Sequence, residues 1–92
     1  MLYMTILTWD PEKRDAVIDR VKKIGFEHPG MKTLGTWVEV GGLRSFQLVD
    51  IPPDMDPALN LKNNFAWNDI MRIENTPVVE ANEMMKALEN MK

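Results

Sequence analysis

The chain contains no cysteine and a single histidine, His28. Disulfides, thiolate nucleophiles and cysteine-built zinc cages are therefore excluded. A transition-metal site needs two or more converging His, Cys or carboxylate ligands, and no second histidine exists to join the first. Charge of one sign is equally scarce: 11 Lys and Arg stand against 14 Asp and Glu, a net charge of −3. With no block of like charge there is no electrostatic footprint for nucleic acid or for an anionic membrane. No apolar run reaches the ~20 residues that cross a bilayer. Met1 to Trp9 is apolar but lacks a basic flank and a small-residue cleavage site, so it reads as a strand, and the cytoplasm is the default compartment. Nucleophile elbow, phosphate loop, dinucleotide fingerprint and paired-carboxylate signature are all missing, and no cofactor or metal is expected.

What is present is one domain over residues 1–92, long enough for a single core that buries about 60 to 70% of the unfolded surface. It is organised around a β-hairpin from Leu34 to Asp50. A two-residue Gly41-Gly42 turn, with both glycines at positive φ, sets Val40 against Leu43, Glu39 against Arg44, Val38 against Ser45, Trp37 against Phe46, Thr36 against Gln47 and Leu34 against Val49. One face then carries an ion pair beside an aromatic pair. The other carries Leu34, Val38, Val40, Leu43 and Val49. Neither face is plainly polar, so both need cover.

Before the hairpin, Leu2 to Trp9 has the composition of a central strand. Asp10 and Pro11 offer a cap and a first helical residue, after which Arg14, Val17, Ile18, Val21 and Ile24 recur at helical spacing until Gly25 ends the helix. Phe26 to Lys32, with His28-Pro29-Gly30, reads as the most mobile loop. After the hairpin, Pro52 and Pro53 break the ladder, and Asp54 or Asp56 caps a short helix running to about Asn64. A last strand follows from Asp69 to Asn75, closed by Pro77. Ala81, Met84, Met85, Leu88 and Met91 form an amphipathic stripe on a C-terminal helix.

The element order is β-α-β-β-α-β with a terminal helix, an α+β, ferredoxin-like antiparallel arrangement. The opening Met-Leu-Tyr-Met-Thr-Ile (residues 1–6), the hairpin from Gly35 to Gly42, Trp67-Asn68-Asp69 and Thr76-Pro77-Val78-Val79-Glu80 resemble a small prokaryotic family of uncharacterised proteins within the dimeric α+β-barrel superfamily. The resemblance covers nearly the whole chain, and its motifs are structural. It implies helices on one sheet face and a second subunit's sheet on the other. Superfamily members include antibiotic-biosynthesis monooxygenases, muconolactone isomerase and haem-handling proteins, so the resemblance selects no chemistry. It offers a precedent for haem at His28 but no matching motif.

Tyr3, Trp9, Trp37, Phe46 and Trp67 are many large aromatics for so small a domain. Core packing accounts for most of them, yet an aromatic-lined ligand pocket with Arg44, Asn68 or Asp69 as its polar groups uses the same residues. His28 is either a proton shuttle or single axial ligand at the sheet's end, or a solvated loop histidine dispensable for folding and metal content. Arg44 can fork onto a ligand carboxylate, although Glu39 opposite is the simpler partner. Asp69 is a general base or a turn former. Met71, Met84, Met85 and Met91 suit an adaptable contact surface or ordinary packing.

Three functions compete. The first is a homodimer that binds, or transforms without a metal, a small apolar organic molecule. The second is a non-enzymatic binding or assembly module, which the missing catalytic constellation favours. The third is an RNA-recognition-like sheet, faintly echoed by Gly42-Leu43-Arg44-Ser45-Phe46 and opposed by the acidic balance. The dimer has a physical motive, because the helices can cover only one sheet face; Val38 and Val49 are assigned to the dry interface.

Overall fold

The computed structural model describes residues 1–91. Its spine is β1 (Leu2–Thr8), whose Tyr, Thr and Ile suit a pleated interior position. β1 pairs antiparallel with β3 (Arg44–Asp50) on one side and β4 (Arg72–Pro77) on the other, and β3 pairs antiparallel with β2 (Lys32–Val38). The result is a four-stranded antiparallel sheet in the order β2-β3-β1-β4. Helix α1 (Arg14–Ile24) carries the chain from β1 across β3 to β2, and α2 (Pro57–Phe65) carries it from β3 across β1 to β4. A third helix, α3 (Ala81–Glu89), follows. The fold is thus α+β, with one antiparallel sheet and three helices.

Local chemistry explains most boundaries. Asp56 caps α2 by accepting the Ala58 N–H at 2.9 Å, with Pro57 in the first turn, and Gly25 ends α1 at φ 73° while its N–H bonds Val21 O at 2.8 Å. Asp10, in contrast, makes no side-chain cap. It is extended, as residues before proline are, and Pro11–Lys13 form a 3-10 turn before α1 begins. The last strand begins at Arg72 rather than Asp69. Residues 66–71 instead continue from α2 as tight turns, with Asn68 N–H on Asn64 O and Ile70 N–H on Trp67 O, and these turns bury both Ile70 and Met71.

In the hairpin, Trp37 opposes Phe46, Thr36 opposes Gln47 and Val38 opposes Ser45, as expected, and Glu39 N–H donates to Arg44 O at 2.8 Å. The loop itself is wider than a two-residue turn. Gly42 N–H bonds Glu39 O at 2.8 Å, which puts Val40 and Gly41 at the turn's centre, and of the two glycines Gly42 alone takes positive φ, at 81°. Val40 projects into solvent instead of facing Leu43, which packs on the core. Trp9 causes the difference: its backbone N–H bonds Leu43 O at 3.1 Å and its indole N–H bonds Gly42 O at 3.0 Å, drawing that arm inward. A bulge between Thr33 and Gly35 sets Thr33, not Leu34, opposite Val49 and leaves Leu34 exposed.

The faces also differ from expectation. Val49, 1% exposed, lies under the helices with Thr5, Leu7, Ser45 and Gln47, so it is not available to an interface. Val38 shares that face and lines a cavity there. Alternation places Met4, Ile6, Trp37, Phe46 and Leu48 on the other face, away from α1, with Trp37 exposed and the rest part-buried. The core joins Leu7 and Trp9 to Val17 of α1 and to Trp67, Ile70 and Met71, with Val21, Leu43, Ala66 and Ile73 against it.

Helix α3 carries the expected stripe, but none of its residues is buried, and Met84, Met85 and Leu88 remain about half exposed. The molecule measures 51 × 32 × 17 Å. Its radius of gyration of 15.3 Å exceeds the ~12 Å of a compact chain this long.

Candidate functional site

Between the sheet and α1 lies a cavity of about 130 Å³. Its walls are Leu7 and Trp9 from the β1 end, Val17, Ile18 and Val21 from α1, Phe26 and His28 from the following loop, and Trp67 and Met71 from the turns after α2, closed by Val38, Ser45 and Gln47 of the sheet. Ile18 and Phe26 are themselves about half exposed and so form the rim.

The polar chemistry of this space centres on Gln47, which is 1% exposed. Burial of an amide costs free energy unless its hydrogen bonds are made. Here they are: the side-chain nitrogen donates to Phe26 O at 2.8 Å and to Thr36 Oγ1 at 3.3 Å, and Oε1 lies 3.1 Å from His28 Nε2. His28 is half-buried and tethered rather than solvated. Pro29 and Gly30 form a turn of type II character, with Met31 N–H on His28 O and Gly30 at φ 85°. Asn63 Nδ2 grips Pro29 O at 2.9 Å, and a Cβ on Gly30 would come within 2.6 Å of Leu59. The loop expected to be most mobile is thus clamped onto α2.

His28 and Leu7 also border a second, smaller space of about 20 Å³, where Thr5, Asn60, Asn63, Asn64 and Asn75 meet the apolar Met31 and Ile73. Thr5 Oγ1 donates to Asn75 Oδ1 at 2.7 Å. Asn60 Oδ1 is buried there without a partner among the described residues.

Of the nine residues singled out from sequence, Trp9, His28 and Trp67 meet at the cavity. Trp37, Arg44 and Phe46 lie together on the bare face, where Arg44 bonds Glu39 at 2.6 Å and stacks 5.4 Å from the Phe46 ring centroid. Tyr3 shares the covered face but sits opposite Val49 and Pro77, apart from the cavity. Asn68 and Asp69 border a shallow groove with Asp10, Lys13 and Arg72. Both Asp69 oxygens are held by Arg20, at 2.5 and 3.0 Å, and Arg20 also bonds Ala66 O at 2.8 Å. The hydrogen bond from Arg20 holds the Asp69 carboxyl below the usual carboxylate range, which makes it a weak base. Among the described residues no three His, Cys, Asp or Glu side chains converge as a metal site.

Sequence reasoning passed over Gln47, Ser45 and Asn60. The one available signal was a glutamine set opposite Thr36 within a strand whose neighbours are apolar. Among the described residues no helix is long and apolar enough to cross a membrane. A family model described as a domain of unknown function (DUF3303) matches residues 1–92. No curated protein and no solved structure matches significantly.

Proposed function

The chain belongs to that family, and on this premise we propose that it binds a small, largely apolar organic molecule between the sheet and α1, without a metal or a nucleotide cofactor. The observation that carries this reading is the cavity: about 130 Å³, walled by aliphatic and aromatic side chains, with one polar pair, Gln47 and His28, at its edge. An apolar cavity of about 150 Å³ holds benzene, so the occupant is of single-ring size. The half-exposed Ile18, Phe26 and Val38 at its mouth leave the space open to a ligand from outside.

The proposal includes the architecture around the site. Each β-α-β unit straddles one strand, which supports a ferredoxin-like, split arrangement. Part-buried Met4, Ile6, Phe46 and Leu48 with exposed Trp37 on the face away from α1 support pairing with a second copy as a dimeric α+β barrel, since a contiguous apolar face gains from cover.

Ligand-observed NMR with single-ring compounds tests the binding. Saturable binding by the wild-type chain is expected, together with its loss in Val21→Phe, which fills the cavity with a ring of its own. Absence of binding by every ring, or undiminished binding by Val21→Phe, would reject this site.

A second reading, the assembly module, draws on the uncommitted Met84, Met85 and Leu88 stripe of α3 together with the bare sheet face. It predicts the same dimer in sedimentation and no ring binding. For an RNA-binding sheet the bare face is poorly charged, since Glu39 neutralises Arg44 and Glu74 lies on the same side as Arg72.

A further inference from the structure

We infer that the cavity selects a ring bearing a hydroxyl group, a phenol or enol whose O–H donates to Nδ1 of His28; the inference rests on the binding reading above and specifies its ligand. A backbone carbonyl can only accept, so the Gln47 atom 2.8 Å from Phe26 O must be the amide nitrogen, and the usual ambiguity of a glutamine's two ends disappears. The other end, facing His28 Nε2 at 3.1 Å, is then the amide oxygen, which also only accepts. Nε2 must therefore carry a proton. In the neutral ring that leaves Nδ1 with a bare lone pair, and no described residue donates to it.

The rest of the site agrees in sign. Both amide hydrogens of Gln47 are committed, to Phe26 O and Thr36 Oγ1, so it has no donor to offer an occupant, whereas Oε1 keeps one lone pair beyond its contact with His28. Ser45, buried on the cavity wall, has a rotatable hydroxyl that suits either role. In the smaller space that His28 shares, the buried end of the Asn60 amide has no partner among the described residues, and about 20 Å³ is room for one hydroxyl or one water. A hydrocarbon ring offers nothing to these acceptors, and an ether or ketone can use only the Ser45 hydroxyl and leaves Nδ1 of His28 without a donor. A hydroxyl supplies the missing donor at the edge of an otherwise apolar space.

Phenol and toluene, equal in shape, make the test. Wild-type protein should bind phenol at least ten-fold more tightly than toluene, despite phenol's greater cost of leaving water. In His28→Phe, which keeps a ring and loses both nitrogens, that preference should vanish while toluene still binds. Equal or tighter binding of toluene by the wild type overturns the hydroxyl inference and leaves the cavity reading standing. Binding of neither compound rejects both. Because His28→Phe removes the bond to Gln47 and can unfold the chain, long-range 1H–15N NMR of the wild-type ring provides a second measurement. The proton is expected on Nε2 in the neutral ring, and a neutral ring protonated on Nδ1 overturns the inference whatever binds.

Discussion

Phe46 and Gln47 are neighbours on β3 that point to opposite faces, and each stands where the other's polarity would be expected. Gln47 lies under the helices beside Thr5, Ser45 and Asn75, whereas Phe46 lies on the uncovered face with Met4, Ile6, Leu48 and Trp37. Thr5 bonds Asn75 across the sheet, and Gln47 bonds the His28 loop at Phe26 O and His28 Nε2. Their net contribution to stability is modest, about 1 kcal/mol per bond, but leaving any one of them unpaired costs more than making it gains. Their function is to fix positions. The bare apolar face has the opposite character: it lacks specific bonds and has area to bury.

The sharpest way to break this comparison is to put one charge on either side of β3. Val49→Asp should unfold the chain, with a loss above ~4 kcal/mol in denaturant titration, since nothing on that side can pair a carboxylate placed at a fully buried position. Leu48→Asp, one residue away, should leave the fold intact by circular dichroism and, if the proposed pairing of copies holds, sediment as a monomer where the wild type sediments as a dimer. If the two variants behave alike, the faces are not distinct. A smaller loss, roughly 2 to 3 kcal/mol, is expected for Gln47→Ala, which strands Phe26 O and Thr36 and frees the His28 loop; faster amide exchange from His28 to Met31 should accompany it.

Smaller again is Gly35→Ala. Its methyl group would lie 2.5 Å from the Trp37 ring, which rests over Gly35 and can swing into solvent because it is 56% exposed. The expected cost is below ~1 kcal/mol, with weaker dimerisation as the principal readout. The smallest effect belongs to Asp69, outside both faces. Its folded carboxyl titrates below its unfolded one, so its pairing with Arg20 stabilises at neutral pH and that contribution disappears as pH falls through the folded value. Asp69→Asn should therefore melt slightly lower than wild type at pH 7 and level with it near pH 2, as read by calorimetry. The pair is largely exposed, and salt should blunt the difference.

The elements whose signals are local were legible in the sequence. β1, the central rungs of the hairpin, the Gly25 stop, the Asp56 cap and the α3 stripe each follow from residue types a few positions apart. Where two local answers were equally good, a distant residue decided. Gly41 and Gly42 fit a two-residue turn as well as a wider loop until Trp9, more than thirty positions earlier, took Gly42 O. Ile70 and Met71 alternate like a strand, but the core needed both on the same side of the chain path. Both faces of the hairpin looked apolar, so sequence could not say which would meet α1, and Val38 and Val49 were assigned to the wrong side. The site was legible only in part: Trp9, His28 and Trp67 were visible as residues, but the tether on His28 runs through Gln47, nineteen positions away.

The uneven exposure of the three tryptophans gives the chain built-in optical gauges. Trp9 and Trp67 are sealed in the wall of the cavity, while Trp37 stands on the bare face. A soluble quencher such as iodide should reach Trp37 and leave the other two bright. Dilution that separates two copies would then register as a rise in the quenchable fraction at constant fold, and entry of a ring would alter the unquenched emission instead. One cuvette can thus follow association and occupancy as separate signals, without any attached label.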